Sequence, residues 1–318
     1  MALNKTDVQS AAEKLAGRIV RTPVVRHPAI DKACGKRVFL KCENLQHIGA
    51  FKARGALLNA LNIEERTRSR GLVTYSSGNH GQAVAFAAKR LGISATIAIP
   101  EDAPIVKVDG MRSLGANIVV AGKTSDDRKM VAHEIVSERK SHLIEPFDHP
   151  LTIAGQGTAT LEFLEQESEL DALVVPVGGG GLISGACLAT ENTDVKVYSV
   201  EPIGCDSLRQ SMAAGERVPV PPGPTIADGL RPVTIGEKNF EVTKGRVTAN
   251  FTVSDHEIAE ALQFLLFSTK LLVEPSGAAA LAYLMAHPAS LKEHENIGVI
   301  LSGGNVAPDL VTSIIANE

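Results

Sequence analysis

The sequence of 318 residues predicts an α/β protein built on parallel sheets. Short runs of β-branched residues alternate with stretches of helical periodicity, which is the pattern of βα units. Three apolar runs end in glycine-rich turns, and open parallel sheets bind their ligands beyond such strand ends. The composition is 44% hydrophobic and only 4% aromatic, with no tryptophan. It is typical of a folded protein with an aliphatic core.

The predicted elements follow one another along the whole chain. In the first half, strands are predicted at 38–41, 72–75, 95–99 and 118–121, followed by helices from about residue 51, then at 81–91, 105–114 and 125–140. In the second half, strands are predicted at 172–177, 196–200 and 297–301, and helices begin near residues 182 and 207. The proline-rich segment 218–225 interrupts this pattern and is predicted to be a surface loop.

The charge and the cysteine content indicate which kind of partner the chain binds and in which compartment it lies. The net charge of −4 includes no block of Lys or Arg, so we expect a small-molecule partner rather than nucleic acid or a membrane surface. Cys34, Cys42, Cys187 and Cys205 lie far apart, which predicts free thiols in a reducing compartment. Because the sequence has neither a signal-peptide pattern nor an apolar run of about 20 residues, we expect a cytoplasmic protein.

Four consecutive glycines, Gly178, Gly179, Gly180 and Gly181, lie between an apolar strand and a helix. Amides without side chains, at the start of a helix, can surround a phosphate group. An alternative is dinucleotide binding, because Glu201 ends the next strand at the distance of a ribose-binding acid. That motif needs a third glycine where this chain has Ser184. The run is therefore interpreted as a phosphate cradle.

Lys52 opens a helical stretch, and a lysine in that position is by itself usually a solvated surface residue. Its company changes the interpretation. The accompanying segments are 76–82 (SSGNHGQ), 153–158 (IAGQGT), 226–229 (IADG) and 302–305 (SGGN), besides the glycine run. In this order and spacing they resemble the serine/threonine dehydratase and serine racemase branch of the fold-type II pyridoxal-phosphate (PLP) enzymes. The resemblance extends from about residue 21 to about residue 305.

The resemblance implies an architecture. It is the tryptophan synthase β-like fold, with two open twisted sheets flanked by helices. A large PLP-binding domain would comprise residues 1–66 and 144–318, with a small domain of residues 67–143 inserted in it. Relatives of this kind also imply a homodimer.

The resemblance further implies a role for each matching residue. Lys52 would hold the cofactor as a Schiff base, with Phe51 beside the ring. Asn79 would bond to the ring hydroxyl, and Ser302 would meet the pyridine nitrogen. The glycine run and Leu182 would hold the phosphate. A hydroxyl partner does not stabilise a pyridinium as a carboxylate does, which favours β-elimination over transamination.

The same resemblance implies a reaction. The freed Lys52 amine would remove the α-proton of a bound β-hydroxy amino acid, the hydroxyl would leave, and the product would hydrolyse to a 2-oxo acid and ammonia. Ser77 would act on the opposite face of the substrate, as in serine racemases, or would only satisfy turn amides. The α-carboxylate would be bound by Ser76, Ser77, Asn79 and His80.

Arg128 and a possible cation site bear on the substrate and on cofactors. Serine racemases and hydroxyaspartate dehydratases carry an arginine where this chain has Arg128, and a guanidinium suits a second carboxylate. This favours 3-hydroxyaspartate over serine or threonine.

The resemblance also bears on a cation site. Around Mg²⁺, Ca²⁺ or Mn²⁺ the racemases place a glutamate, a backbone carbonyl and an aspartate. In this chain Glu201 and Cys205 match the first two, and Ser207 stands where the aspartate would be.

Other classes of protein remain as alternatives. An L-serine or L-threonine dehydratase and a serine racemase are the nearest. Cysteine synthases typically carry threonine in the loop that here holds Ser77 and His80. A catalytically silent amino-acid-binding relative would not need Lys52, and a nicotinamide-dependent dehydrogenase would lack the yellow colour of bound PLP.

Overall fold

The computed structural model describes residues 2–76, 78–101, 103 and 105–316. In this part of the chain the strands are β1 (Val24–Arg26), β2 (Arg37–Cys42), β3 (Leu72–Tyr75), β4 (Ala95–Ile99), β5 (Asn117–Val120), β6 (His142–Leu143), β7 (Ala172–Pro176), β8 (Lys196–Pro202), β9 (Val247–Val253) and β10 (Asn296–Leu301). The helices are α1 (Lys5–Leu15), α2 (Pro28–Cys34), α3 (Lys52–Leu61), α4 (Glu65–Arg68), α5 (Asn79–Leu91), α6 (Ile105–Ser113), α7 (Ser125–Arg139), α8 (Pro150–Gln166), α9 (Gly181–Ala189), α10 (Ser207–Ala214), α11 (Glu237–Thr243), α12 (Asp255–Phe264), α13 (Pro275–Ala286) and α14 (Pro308–Ala316).

The larger sheet has the strand order β1-β2-β10-β7-β8-β9. β1 is antiparallel to β2, and the remaining neighbours are parallel. Every residue of β7 is buried, because one apolar cluster, which includes α12 and α13, covers one face and another, which includes α8 and α9, covers the other. Parallel strands buried on both faces read as continuous apolar runs, which is why the sequence revealed them.

The smaller sheet has the order β5-β4-β3-β6, and its strands are all parallel. α5 packs against β3 and β4, and α7 packs against β3, β4 and β6. The predicted fold of two open sheets flanked by helices is confirmed. The division at residues 66/67 and 143/144 stays a prediction.

Other expectations concern the loop, the thiols and the membrane. The segment 218–225 contains neither helix nor strand, as predicted. Cys34, Cys42, Cys187 and Cys205 are free and buried. None of the helices in the described ranges is both long and apolar enough to cross a bilayer.

A buried network of charges anchors α3 to α8. Arg54, whose side chain is fully buried, donates to both carboxylate oxygens of Glu43 and of Glu162 at 2.7–2.8 Å. Lys41 Nζ, also fully buried, donates to Glu162 Oε2 at 3.0 Å and to the carbonyl of Thr22. Buried charges are tolerated when they are paired and hydrogen-bonded. The network fixes the first turn of α3, where Lys52 lies.

Candidate active site

Three backbone contacts join the segment before α3 to the segment after β10. The amide of Phe51 donates to the Ser302 carbonyl at 3.1 Å, and the amide of Gly304 donates to the Gly49 carbonyl at 2.9 Å. Ala50 forms an isolated antiparallel bridge with Gly303. These contacts place Lys52 beside Ser302, although 250 residues separate them in the sequence.

Lys52 points toward the turn that follows β6. Its Nζ donates to the carbonyl oxygen of Pro146 at 2.9 Å and lies 5.1 Å from the centroid of the Phe51 ring. Burial lowers the pKa of Lys52 to about 8, and the negative charge of Glu274 opposes that shift. A lysine with such a pKa is partly neutral near pH 7.5. It can therefore act as a nucleophile or as a base.

The glycine run follows β7, and Ser302 follows β10, the parallel neighbour of β7. Both therefore lie at the carboxyl edge of the larger sheet. Gly180 has a φ of +101°, which favours glycine. A Cβ atom on Gly179 would overlap the ring of Phe147.

The glycine run leads directly into α9, which begins at Gly181. The first amides of a helix have no acceptor inside it, so those of Gly181 and Leu182 are available to a ligand. Together with the absence of side chains along the run, this donor set fits the phosphate group of PLP. Leu182 and Ser302 are buried, each with 4% of its surface exposed.

Asn79 is the first residue of α5 and is held by two partners. Its Nδ2 donates to Glu274 Oε1 at 2.7 Å, and its Oδ1 accepts from Asn305 Nδ2 at 2.8 Å. The same Asn305 nitrogen donates to the carbonyl of Ile48 at 2.7 Å. Asn79 is thus tied to the 302–305 segment and to the segment before Lys52.

His80 is buried next to Asn79. Its Nε2 lies 3.1 Å from the Ile144 carbonyl, which makes that nitrogen the protonated one. Burial, and then the charge of Lys52, lower the pKa of His80 to about 3. The imidazole is neutral at physiological pH, and its single N–H is already donated to Ile144, so the ring can neither pair with a carboxylate as a cation nor donate a hydrogen bond to it. Any contribution of His80 to carboxylate binding would come from its backbone amide.

Ser76 and Ser77 both belong to the turn after β3, but only Ser76 lies in the described part of the chain. Ser76 follows β3, and its Oγ accepts from the Gly78 amide at 3.2 Å. Ser77, predicted to act on the opposite face of the substrate, lies outside the described residues. Its role stays a prediction.

Arg128 lies in the first turn of α7, which follows β5. Its Nη2 donates to Ser125 Oγ at 2.7 Å, and the side chain is half-buried. Because the small sheet is parallel, the start of α7 lies at the same edge as Asn79, which follows β3. β4 separates the two strands.

The three residues considered for a cation lie at the end of β8 and the start of α10. Both carboxylate oxygens of Glu201 accept backbone amides of α10, from Leu208 at 2.9 Å and from Arg209 at 2.8 Å. Ser207 is buried, and Cys205 donates its thiol to the Gly223 carbonyl at 3.6 Å. Within the described ranges, no group of three or more His, Cys, Asp or Glu residues could hold a metal ion.

Glu274, Pro146 and Phe147 are parts of this site that sequence reasoning missed. Glu274 precedes Pro275 at the start of α13, a position that is usually solvated. An acid in the otherwise apolar stretch LLVEPSGAAA was the available signal. Pro146 and Phe147 follow β6, whose two residues are too few for a periodic pattern.

Three known proteins resemble this chain over nearly its whole length. A serine racemase of Dictyostelium discoideum is 38% identical over 314 residues, which cover 97% of each chain. An L-threo-3-hydroxyaspartate ammonia-lyase of a Pseudomonas species is 40% identical over 314 residues, again 97% of each chain. The solved structure of maize serine racemase has a TM-score of 0.95 at 38% identity and covers 100% of this chain and 98% of that one. A family model described as "Pyridoxal-phosphate dependent enzyme" matches residues 15–303.

Proposed function

The chain belongs to the pyridoxal-phosphate dependent enzyme family, and from this premise we propose that it is an ammonia-lyase acting on a β-hydroxy amino acid. The observation that carries the proposal is the position of Lys52. Its amine, with a pKa lowered to about 8, lies in one site with the glycine run, Asn79 and Ser302. This is the set of groups needed to hold PLP and to move a proton beside it.

PLP, when bound, supplies an electron-accepting ring that weakens the bonds to the α-carbon of an amino acid. The glycine run and Leu182 would hold its phosphate, and Ser302 would offer a neutral hydroxyl to the ring nitrogen. The Lys52 amine, once free of the cofactor, would take the α-proton at Nζ. Loss of the β-hydroxyl as water and a later hydrolysis would give a 2-oxo acid and ammonia.

We propose 3-hydroxyaspartate as the substrate, which would yield oxaloacetate and ammonia. Arg128 supports this, because it lies at the sheet edge that carries Asn79 and its planar guanidinium can bind the second carboxylate by two hydrogen bonds. The relative from Pseudomonas named for this activity also supports it.

The second candidate is an L-serine or L-threonine dehydratase, alone or with serine racemase activity. The bond from Arg128 to Ser125 favours it, because an arginine held within its own helix turn is less free to reach a ligand. Ser77→Ala would separate the two activities. We expect it to abolish racemisation of serine and to retain elimination from the L-isomer.

A divalent cation fits the chain poorly. Glu201 brings the single carboxylate of the three residues, and its oxygens already accept two helix amides. Ser207 brings a neutral hydroxyl where charge is needed, and Mg²⁺ and Ca²⁺ sites rely on several oxygen ligands with carboxylates among them. We therefore assign no step to a cation and expect turnover to survive EDTA.

The test is ammonia release by the PLP-loaded protein from each stereoisomer of 3-hydroxyaspartate, from L- and D-serine and from L-threonine, with and without Mg²⁺. Lys52→Ala should abolish release from every substrate, while Lys89→Ala, a lysine in the last turn of α5, should not. Turnover by Lys52→Ala would overturn the mechanism.

The choice of substrate is tested separately. Arg128→Ala should reduce kcat/KM for the preferred hydroxyaspartate isomer roughly 100-fold, the loss expected when a buried carboxylate partner is removed. The effect on serine should be small. Lys129→Ala, which removes the neighbouring exposed cation of α7, is the matched control. Equal losses of kcat/KM on both substrates in Arg128→Ala would contradict the choice of 3-hydroxyaspartate and favour an L-serine or L-threonine dehydratase.

A further inference from the structure

We infer that Glu274 is a positioning residue that fixes the amide orientation of Asn79, and so determines which group Asn79 presents to the pyridoxal ring. The inference rests on the proposed function for the presence of the cofactor. It adds the residue that precedes α13 to a site otherwise built from the two sheet edges.

Two hydrogen bonds join Glu274 and Asn305 through Asn79. Asn79 Nδ2 donates to Glu274 Oε1 at 2.7 Å, and Asn305 Nδ2 donates to Asn79 Oδ1 at 2.8 Å. The backbone amide of Asn305 lies near the Glu274 carboxyl group and lowers its pKa. The three residues come from α5, from the position before α13 and from the segment after β10.

These two hydrogen bonds remove an ambiguity of the asparagine side chain. An amide group can be turned over so that its oxygen and nitrogen exchange places. Glu274 Oε1 accepts, with any carboxyl proton carried on Oε2, and Asn305 Nδ2 is held as a donor by its second bond to the Ile48 carbonyl. Asn79 therefore directs its NH2 toward Glu274 and its oxygen toward Asn305. The second N–H of Asn79 is then available to the ring hydroxyl of PLP. Without Glu274, only the bond from Asn305 would favour this orientation.

The surroundings of Glu274 show that its carboxyl group belongs to this contact. The residue is 4% exposed, and although it precedes α13, its side chain makes no capping bond to that helix. A Cβ atom on Gly303 would overlap Glu274 Oε1, so the second residue of the SGGN segment has to be small. Gly303 also accepts the Glu274 amide at 3.0 Å.

The surroundings of Glu274 favour the uncharged form of its carboxyl group. Burial and the nearby charge of Asp228 raise the pKa of Glu274 to about 8, while Lys107 and the bond from Asn79 act in the opposite direction. Lys107 pairs with Asp228, and Lys52 lies within electrostatic range of Glu274. The carboxyl oxygen accepts from Asn79 whether or not the group carries a proton.

The experiment compares Glu274→Gln, Asn79→Ala and the double variant. Glutamine has the same shape but one acceptor oxygen and one donor nitrogen, so it no longer dictates the orientation of Asn79. Three quantities are measured. They are the visible absorption of the bound cofactor against pH, kcat and KM on the substrate that the ammonia-release assay identifies, and the thermal stability of the cofactor-free protein.

Glu274→Gln should still bind PLP, and the midpoint of its spectral titration should move by about one pH unit. Its kcat should fall roughly 10- to 100-fold, as when a group that orients a ligand-binding residue is lost. KM should change much less. The double variant should be no worse than Asn79→Ala, because a residue that acts through Asn79 has no effect once Asn79 is gone. Glu274→Asp should recover part of kcat.

Several outcomes would overturn the inference. The first is a spectral titration of Glu274→Gln with the same midpoint as the wild-type protein. The second is a double variant whose kcat losses are the sum of those of the single variants. The third is a Glu274→Gln variant that loses thermal stability but neither kcat nor its spectral midpoint. Should Glu274→Gln not fold, Asn305→Ala removes the other partner of Asn79, and a wild-type titration there carries the same weight. Because the titration needs no substrate, failure of the proposed function shows only in the turnover measurements.

Discussion

At Lys52, burial rather than a neighbouring cation sets the proton affinity of the amine. Burial disfavours the charged form of a lysine, and the negative charge of Glu274 acts in the opposite direction without cancelling the effect. At pH 7.5 a pKa of about 8 leaves about a quarter of the amine neutral, against about 0.1% for an ordinary lysine. The chain thus prepares the nucleophile before any cofactor arrives.

The rate at which the cofactor-free protein takes up PLP should therefore rise with pH and level off about one pH unit above the Lys52 pKa of about 8, where nearly all of the amine is neutral. The measurement is the growth of visible absorption after mixing, at a series of pH values. A rate that keeps rising past pH 10, as for a lysine with its usual pKa of 10.5, would show that burial does not set this proton affinity.

The residues that were predictable lie in local motifs. Lys52, Asn79, the glycine run and Ser302 each belong to a short segment with unusual glycine content, so local sequence indicated them. Glu274 was not predictable, because a single acid before a proline resembles a solvated helix start. Its burial follows from contacts with Asn79 and Gly303, which only the folded chain brings together.

At the scale of elements, α8 acts as the support of α3. Glu162 of α8 receives two hydrogen bonds from Arg54 of α3 and one from Lys41 of β2. Removing one member of a buried ion network leaves the others charged without a partner, which costs far more than the loss of a surface pair. The position of Lys52 in the first turn of α3 depends on this support.

Glu162→Ala should lower the free energy of unfolding of the cofactor-free protein by about 3 kcal/mol or more. Glu165→Ala is the matched control, on the same helix, since its partner Arg21 forms an exposed pair that contributes at most about 1 kcal/mol. Urea denaturation of both variants measures the difference. Equal losses would mean that the buried network contributes no more than the exposed one.

The phosphate turn offers a second comparison of elements. Gly179→Ala would overlap the Phe147 ring, whereas a Cβ atom on Gly181 would lie 3.4 Å from the nearest atom of Phe147. The affinity for PLP, measured by fluorescence titration, should therefore fall much more in Gly179→Ala than in Gly181→Ala. The reverse order would place the phosphate contact later in α9.

The predicted strands correspond closely to those observed, because buried parallel strands have long apolar runs. Two elements that were not predicted, β9 and α13, show why the sequence does not reveal every element. β9 is an outer strand of the larger sheet and is mostly half-exposed, so its sequence VTANFTV lacks such a run. α13 consists largely of alanine and other small residues buried on all sides, which gives no helical periodicity.

At the scale of the whole molecule, several large apolar side chains remain exposed in the described part of the chain. Leu45 and Leu272, 49% and 46% exposed, form one apolar patch, and Phe267, 56% exposed, comes five residues before Leu272 in the sequence. Leu45 adjoins Leu272, because the neighbouring Asn44 donates to the Leu272 carbonyl at 3.1 Å. Exposed apolar patches often mark interfaces between proteins. The patch supports the proposal of a homodimer.

We expect the protein to sediment with twice the mass of one chain, and the double variant Phe267→Ser/Leu272→Ser to sediment as a monomer. Val120→Ser removes an equally exposed apolar side chain from the outer strand β5 and should leave the mass unchanged. A monomeric wild-type protein, or an unchanged double variant, would contradict this assignment.

During synthesis on the ribosome, the two sheets become complete at different times. All strands of the smaller sheet lie between residues 72 and 143, whereas β10, which joins β2 to β7, comes at residues 296–301. Until β10 has been made, the nascent chain holds the β1–β2 pair and the β7–β8–β9 group with no strand between them. The segment before Lys52 lacks its Ser302 partner for the same period. The cofactor site therefore cannot assemble until residue 302 has been made.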